Sequence, residues 1–283
     1  MCIVLSTTSN PDYSLIVISN RDEVFERSSE RLDFRVAKEG EPLLMGLDNL
    51  NKGTWLCIDS DTKSFAVVLN VQSLGKLDLK PFSRGFLPLE VLKCSKKLPE
   101  SFEEFQSLYS KAIETRYFKL LYGVFENSKT QLKYRLLSLA DDEIPVYKDL
   151  ADHAPFVTSN QYESCSENVE SEYKWNKISI GEHLMAKLAI LENEETLIKN
   201  CFEISEHDTF TNDNQTAIEF KESKLKVRSS VFIPKHKIKI LNKELTYGTR
   251  TTTLILVRRD GSVRIIERER TDPNSIDRSF ELF

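Results

Sequence analysis

Two stretches, Met1-Cys-Ile-Val-Leu-Ser-Thr7 and Tyr13-Ser-Leu-Ile-Val-Ile-Ser-Asn20-Arg-Asp-Glu23, decide how this chain is read. Cys2–Thr7 and Tyr13–Ser19 are rich in Ile, Val and Leu, and Asn10-Pro11-Asp12 between them is turn chemistry, so together they predict a hairpin. In an antiparallel pair the end of the second strand lies beside the start of the first. The hairpin therefore delivers Asn20-Arg21-Asp22-Glu23 to Cys2. Removal of Met1 would leave Cys2 with a free thiol and a free α-amine. Their unperturbed pKa values, near ~8.5 and ~7.7–8.0, suit transfer of the thiol proton to the amine. A terminal nucleophile activated by its own amine is an established form of covalent catalysis. Asp22 could orient the ammonium, and Arg21 could lower the thiol pKa or hold a substrate carbonyl. The competing reading is an accidental Met-Cys start beside a surface salt-bridge cluster that caps a strand.

The rest of the chain sets limits. Its 283 residues, 40% hydrophobic and 29% charged, suit a globular protein with a full core. No apolar run approaches the ~18 residues needed to span a bilayer, so no transmembrane segment is expected, while peripheral membrane contact stays open. Ile3–Leu5 gives way at once to polar residues, so no signal peptide is expected either. Cys2, Cys57, Cys94, Cys165 and Cys201 follow neither disulfide nor zinc spacing, which points to a reducing, cytoplasmic setting. The dispersed His153, His183, His207 and His236 add no ligand pattern, so neither a metal nor a cofactor is expected.

Net charge is −5, yet Lys224–Arg270 carries thirteen Lys/Arg against four Asp/Glu. One reading is a surface for an anionic headgroup, phosphate or acyl thioester. The preferred reading is strands with solvated or edge-protecting charges. With no basic motif or aromatic platform, nucleic acid is not an expected partner.

Further strands are predicted at Thr54–Ile58, Ser64–Asn70, Phe118–Phe125, Gln131–Leu139, Ser230–Ile233, Thr251–Val257 and Ser262–Glu269. Helical spacing appears over Gly85–Lys97, Ser101–Thr115 and Tyr173–Leu191. In the second of these, Phe102, Phe105, Leu108, Tyr109 and Ala112 read as a core stripe. In the third, the expected buried side is Trp175, Ile178, Ile180, Leu184, Leu188 and Leu191. Strands at both ends and helices between them predict a layered α+β fold. No linker marks a boundary, so residues 1–283 read as one domain, with 192–226 a helix and polar surface excursion.

Several motifs, in order, carry a resemblance. Met1-Cys2-Ile3, Ile18-Ser-Asn-Arg-Asp-Glu23 and Glu26-Arg27-Ser28 are followed by Leu44-Met-Gly-Leu-Asp48, read as a glycine-aspartate turn. Lys52-Gly-Thr-Trp-Leu56, Val68-Leu-Asn70, Ser83-Arg-Gly85, Thr158-Ser-Asn160 and Tyr247-Gly-Thr-Arg-Thr-Thr-Thr-Leu-Ile255 complete the series. In this order and spacing the chain resembles the NRDE family, also called the Transport and Golgi organization protein 2 family, nearly end to end. One departure is Lys52, where the family has the first glycine of Gly-Gly-Thr-Trp-Leu.

That family in turn resembles the cysteine branch of the N-terminal nucleophile hydrolases, which implies a four-layer αββα sandwich. The resemblance implies catalytic positions Cys2, Arg21, Asp22, Asn70, Asn160 and Arg250, with Asn20, Glu23 and Trp55 as candidate substrate contacts. The amidases space their arginine and aspartate as Arg-Asn-x-Asp, whereas Arg21 and Asp22 are adjacent and face opposite sides of a regular strand. Both reach Cys2 only if the strand ends or bulges there; Glu23 is the substitute. Asn70 and Asn160 read either as oxyanion donors or as turn-capping asparagines, and Gly53-Thr54-Trp55 reads first as a tight turn and a packed indole. The implied activity is amide or thioester hydrolysis through an acyl-Cys2 intermediate. The alternative is a non-catalytic factor that binds or traffics lipid, acyl-CoA or haem. The family's associations imply roles in Golgi organization, protein secretion and lipid or haem homeostasis, at the Golgi or mitochondria.

Overall fold

The hairpin forms as expected. In a computed structural model, β1 (Ile3–Thr7) and β2 (Tyr13–Val24) are antiparallel, with Ile3 opposite Asn20. The structure describes residues 2–36, 42–72, 79–93, 98–125, 133–140, 144–150, 155–161, 174–190, 193–210, 217–240 and 242–283. The Asn10 side chain closes the turn, accepting from the Asp12 and Tyr13 amides at 2.9 and 3.1 Å.

The remaining strands are β3 (Ser29–Arg35), β4 (Leu43–Asp48), β5 (Leu56–Asp59), β6 (Ser64–Asn70), β7 (Phe118–Val124), β8 (Lys133–Leu139), β9 (Val146–Asp149), β10 (Phe156–Ser159), β11 (Ile218–Glu219), β12 (His236–Ile240), β13 (Lys243–Arg258), β14 (Val263–Glu269) and β15 (Arg278–Leu282). They make two sheets. The eight-stranded sheet runs β10-β1-β2-β13-β12-β11, with β14 also on β13 and β15 on β14; the seven-stranded sheet is an antiparallel meander from β3 to β9.

Period-two alternation explains how the sheets stack. Val4, Val17 and Ile255 of the first sheet join Leu56, Phe65 and Leu121 of the second in one buried cluster between them. The opposite face of the first sheet, with Ile3, Ile18 and Leu254, packs on α3 (Asn176–Ala186) and α4 (Glu194–Ser205). The outer face of the second, with Ala66, Leu120 and Leu137, packs on α1 (Leu87–Leu92) and α2 (Phe102–Leu108). A short α5 (Phe220–Lys226) follows β11. The chain is thus a mixed α+β protein, mostly sheet. Among the described residues no helix is long and apolar enough to cross a membrane.

Some expectations give way. Leu44–Asp48 is a strand rather than a turn, and Gly46 lies against the Trp55 ring. Ser230–Ile233 is not a strand: the Phe232 amide donates to the His207 carbonyl and that of Ile233 to the Thr249 hydroxyl. Helix α2 stops at Leu108 because Tyr109 leaves helical geometry, so Leu108 is exposed while Phe102 and Phe105 are buried. Within 192–226, α4 buries Leu197, Cys201 and Phe202 on the first sheet, and residues 211–216 lie outside the described residues. Part of the basic run is ion-paired: Arg258 and Arg264 meet Glu194, Arg268 and Arg270 meet Glu206, and Arg268 also meets Asp277.

Candidate active site around Cys2

Cys2 precedes β1, held from both flanks. Its carbonyl accepts from the Ser159 hydroxyl at 2.6 Å, and its thiol points to the Asp22 carbonyl, 4.0 Å away. The side chain is half-buried against the cluster between the sheets. Burial pushes the thiol above its ordinary pKa, while the nearby Arg21 guanidinium pulls it down.

Strand β2 does not end at Asn20; it continues to Val24, and Asn20, Arg21 and Asp22 keep alternating between its two faces. Arg21 shares the inter-sheet side with Cys2, and its guanidinium lies 4.2 Å from the centre of the Trp55 ring. It donates to the Ser29 hydroxyl at 3.3 Å, and among the described residues no carboxylate lies within ion-pair distance of it. A buried guanidinium without a counter-ion is costly unless a ligand supplies one.

Asp22 faces the other way, into the helix layer. There its carboxylate accepts from the Thr249 hydroxyl at 2.7 Å. Burial pushes this carboxyl up, while the Lys177 ammonium and the Thr249 hydroxyl pull it down. Asp22 therefore meets the thiol through its backbone and sets its charge beneath the chain start. The bulge lies on the neighbouring strand: β13 shifts register between Thr249 and Thr251, opposite Asp22 and Arg21.

A cavity of about 120 Å³ opens on the thiol, lined by Cys2, Arg21, Asp22, Glu23, Trp55 and Asn70 among others. Its rim carries Arg27, paired with Asp48 at 2.7 and 3.0 Å, and the arginines Arg84 and Arg116. A larger surface cavity of about 470 Å³ lies beside Tyr13 and Glu194, away from Cys2. Asn70 ends β6 at the exposed mouth of the Cys2 cavity.

Of the other predicted residues, Asn20, Asn160 and Arg250 do not line this cavity, whereas Glu23 does. Asn20 is fully buried on the helix side, donating to the Ser205 and Val231 carbonyls at 2.8 and 3.1 Å and accepting from the Thr252 hydroxyl at 2.8 Å. Asn160 donates to the Asn70 carbonyl at 2.6 Å, tying the two sheets together. Arg250 donates to the Val24 and Arg27 carbonyls and so fastens the turn after β2. The Glu23 carboxylate accepts from the Val24 amide and pairs with Arg27.

Two neighbours went unread in the sequence. Thr249, inside the quoted Gly-Thr-Arg, is the hydroxyl that holds Asp22. Lys177 is fully buried in α3, whose inward face is Lys177, Ile178, Gly181 and Met185. A search for apolar spacing passes over a lysine on that face; the four-residue spacing from Lys177 to Gly181 was the available signal.

Comparison with known proteins agrees with this end-to-end pattern. Residues 1–272 match the family described as Transport and Golgi organisation 2. The mouse Transport and Golgi organization 2 homolog is 26% identical over 291 residues, covering 97% of this chain and 95% of that protein. The human Transport and Golgi organization protein 2 homolog is 26% identical over 288 residues, 96% of this chain and 94% of its own. An uncharacterized protein of Saccharomyces cerevisiae is 26% identical over 300 residues, 95% of this chain and 91% of its own. The chain belongs to the Transport and Golgi organisation 2 family.

Proposed function

We propose that the chain is a single-domain acyl hydrolase of the N-terminal nucleophile type, with Cys2 as nucleophile for an amide or thioester. Helices outside two face-to-face sheets support the αββα reading of the fold. The observation that carries the activity is the placement of Cys2 in a cavity beside Arg21, a buried guanidinium with no carboxylate within ion-pair distance among the described residues.

With Met1 removed, the thiol proton passes to the Cys2 α-amine as sulfur bonds to the acyl carbon. The carbonyl oxygen takes up the electron pair, and the exposed Asn70 amide at the cavity mouth is the candidate donor to it. Losing such a donor typically costs ~10²–10³ in turnover. The tetrahedral centre collapses with cleavage of the C–N or C–S bond, and the ammonium returns its proton to the leaving group. Water then hydrolyses acyl-Cys2 by the same exchange. Arg21, over the Trp55 ring, anchors a negative group of the substrate.

The experiment is to incubate Met1-free protein with acyl thioesters and acyl amides and follow both turnover and intact mass. Turnover with an acyl adduct on Cys2, both lost in a folded Cys2→Ala variant, is the expected result. Full turnover by Cys2→Ala would overturn it.

The second reading, a non-catalytic factor that binds lipid, acyl-CoA or haem, is favoured by the raised thiol pKa and by the commitment of the Asn160 amide to the Asn70 carbonyl. It predicts stoichiometric ligand retention that Cys2→Ser leaves unchanged. Under either reading, the names of the mouse and human relatives support a role in transport and Golgi organization, which we take to include protein secretion. We extend this to lipid or haem homeostasis, in the cytoplasm and in contact with Golgi or mitochondria.

A further inference from the structure

Helix α3 is pressed onto β1. A Cβ at Gly181 would sit 2.8 Å from Leu5 Cδ2 and 3.0 Å from Val157 Cγ1, so a larger residue would have to displace these side chains. One turn earlier, about 5–6 Å along the helix, stands Lys177. Its backbone amide donates to the Arg228 carbonyl at 3.1 Å, which fixes the start of the helix. Its ammonium is fully buried, 5.6 Å from the Trp175 ring centre, and has no hydrogen-bond partner among the described residues. A charged amine in such a place is expensive unless a counter-charge faces it.

Burial lowers the Lys177 pKa; Asp22 on β2, and then Cys2, are the charges that raise it. Strand β10, the other strand beneath α3, carries no titratable side chain within Phe156–Ser159, and the Arg228 guanidinium lies on Trp175, 5.1 Å from its ring centre. Lys177 and Asp22 are thus both buried on the side of the first sheet away from the cavity, close enough for each charge to act on the other but without a hydrogen bond between their side chains.

We propose that Lys177 is a positioning residue for the Cys2 centre: its ammonium shares the Asp22 carboxylate with the α-amine freed by loss of Met1, and so keeps that amine available as proton acceptor. This rests on the reading of Cys2 as nucleophile. The reason is electrostatic. An α-ammonium paired alone with a buried carboxylate is held in its protonated form and is a poor base. A second cation on the same carboxylate offsets that attraction, favours the neutral amine, and favours the thiolate at Cys2.

The test reads Cys2 itself and needs no substrate. The pH dependence of Cys2 alkylation by iodoacetamide is measured by peptide mass in Met1-free wild type, Lys177→Met, Asp22→Asn and the double variant. Lys177→Met should move the midpoint to higher pH by about one unit or more. The double variant, with no net change in charge, should return towards wild type. If Lys177→Met does not fold, the Lys177 charge is read from Asp22→Asn against the double variant, where no buried carboxylate is left unpaired, and the same alkaline shift is expected. An unmoved midpoint in folded Lys177→Met, or equal midpoints for Asp22→Asn and the double variant, would make Lys177 a space-filler and overturn the proposal. Failure of the hydrolase reading would look different: no acyl adduct from any acyl donor, with the alkylation shift intact.

Discussion

Replacing Gly46 by alanine should dislodge the platform on which Arg21 lies. An alanine Cβ at that position would fall 2.3 Å from Trp55 Cζ2 and 2.5 Å from Cη2. Carbon atoms pack at about 3.5–4.0 Å, so the indole must retreat by roughly 1 Å or more. Trp55 is buried between the sheets and has little room to move. Overpacking of this kind costs about 1–3 kcal/mol, and loss of the Arg21 stacking adds about 0.5–2 kcal/mol. At roughly 2–4 °C per kcal/mol for a chain near this size, the melting temperature should drop by several degrees. Thermal and urea unfolding measure the cost. The emission of Trp55, with Trp175 removed by a Trp175→Phe background, reports the displaced ring. Because the cost lies in one contact, Gly46→Ala combined with Trp55→Phe should recover part of it, a coupling of about 1 kcal/mol or more. Unchanged stability and emission in Gly46→Ala, or strict additivity in the double variant, would refute the packing argument.

Two further outcomes concern the end of β4 and the turn that follows it. Lys52 sits at φ 56°, the left-handed region that favours glycine. Lys52→Gly should therefore stabilise the fold by up to about 1 kcal/mol in urea titration, and a loss would mean that the lysine side chain contributes more than the backbone strain. For Asp48, burial works against the charge, but the Arg27 guanidinium outweighs it and holds the carboxyl below its ordinary pKa. A depressed folded pKa gives stability that is present above the unfolded value, near ~3.9, and is lost as pH falls through the folded one. The stability gap between wild type and Asp48→Asn should thus be constant from neutral pH to about pH 5 and shrink below about pH 4. A gap that widened on acidification would contradict the pairing.

What the sequence revealed, and what it hid, follows from how each segment is buried. The β1–β2 hairpin and β6 were legible because strands covered on both faces are apolar almost throughout. The polar stretch Asn20–Val24 falls past the predicted strand Tyr13–Ser19, yet it continues β2 because Asn20 and Asp22 find buried partners. The half-exposed edge strand β3, Ser-Glu-Arg-Leu-Asp-Phe-Arg, shows no clean alternation and passed unread, as did β15. Gly46 suggested a turn because a glycine in a strand is read first as punctuation, whereas here it clears space for an indole. At the site, a hairpin argument was enough to bring Cys2, Arg21 and Asp22 together. It could not show that Asn160 and Arg250 spend their donors on backbone carbonyls, because those bonds join segments far apart in the chain. Lys177 was hidden by its own type, since a lysine is read as solvent-facing until a buried carboxylate is seen opposite.

The central claim is that Cys2 works with its own α-amine, and the intact mass of the protein from its native cells tests it most directly. A chain short by one methionine with an unblocked Cys2 is expected, and any additional mass on Cys2 would be an acyl group that names the substrate class. A retained Met1, or a blocked amine at Cys2, would remove the proposed base and contradict the account.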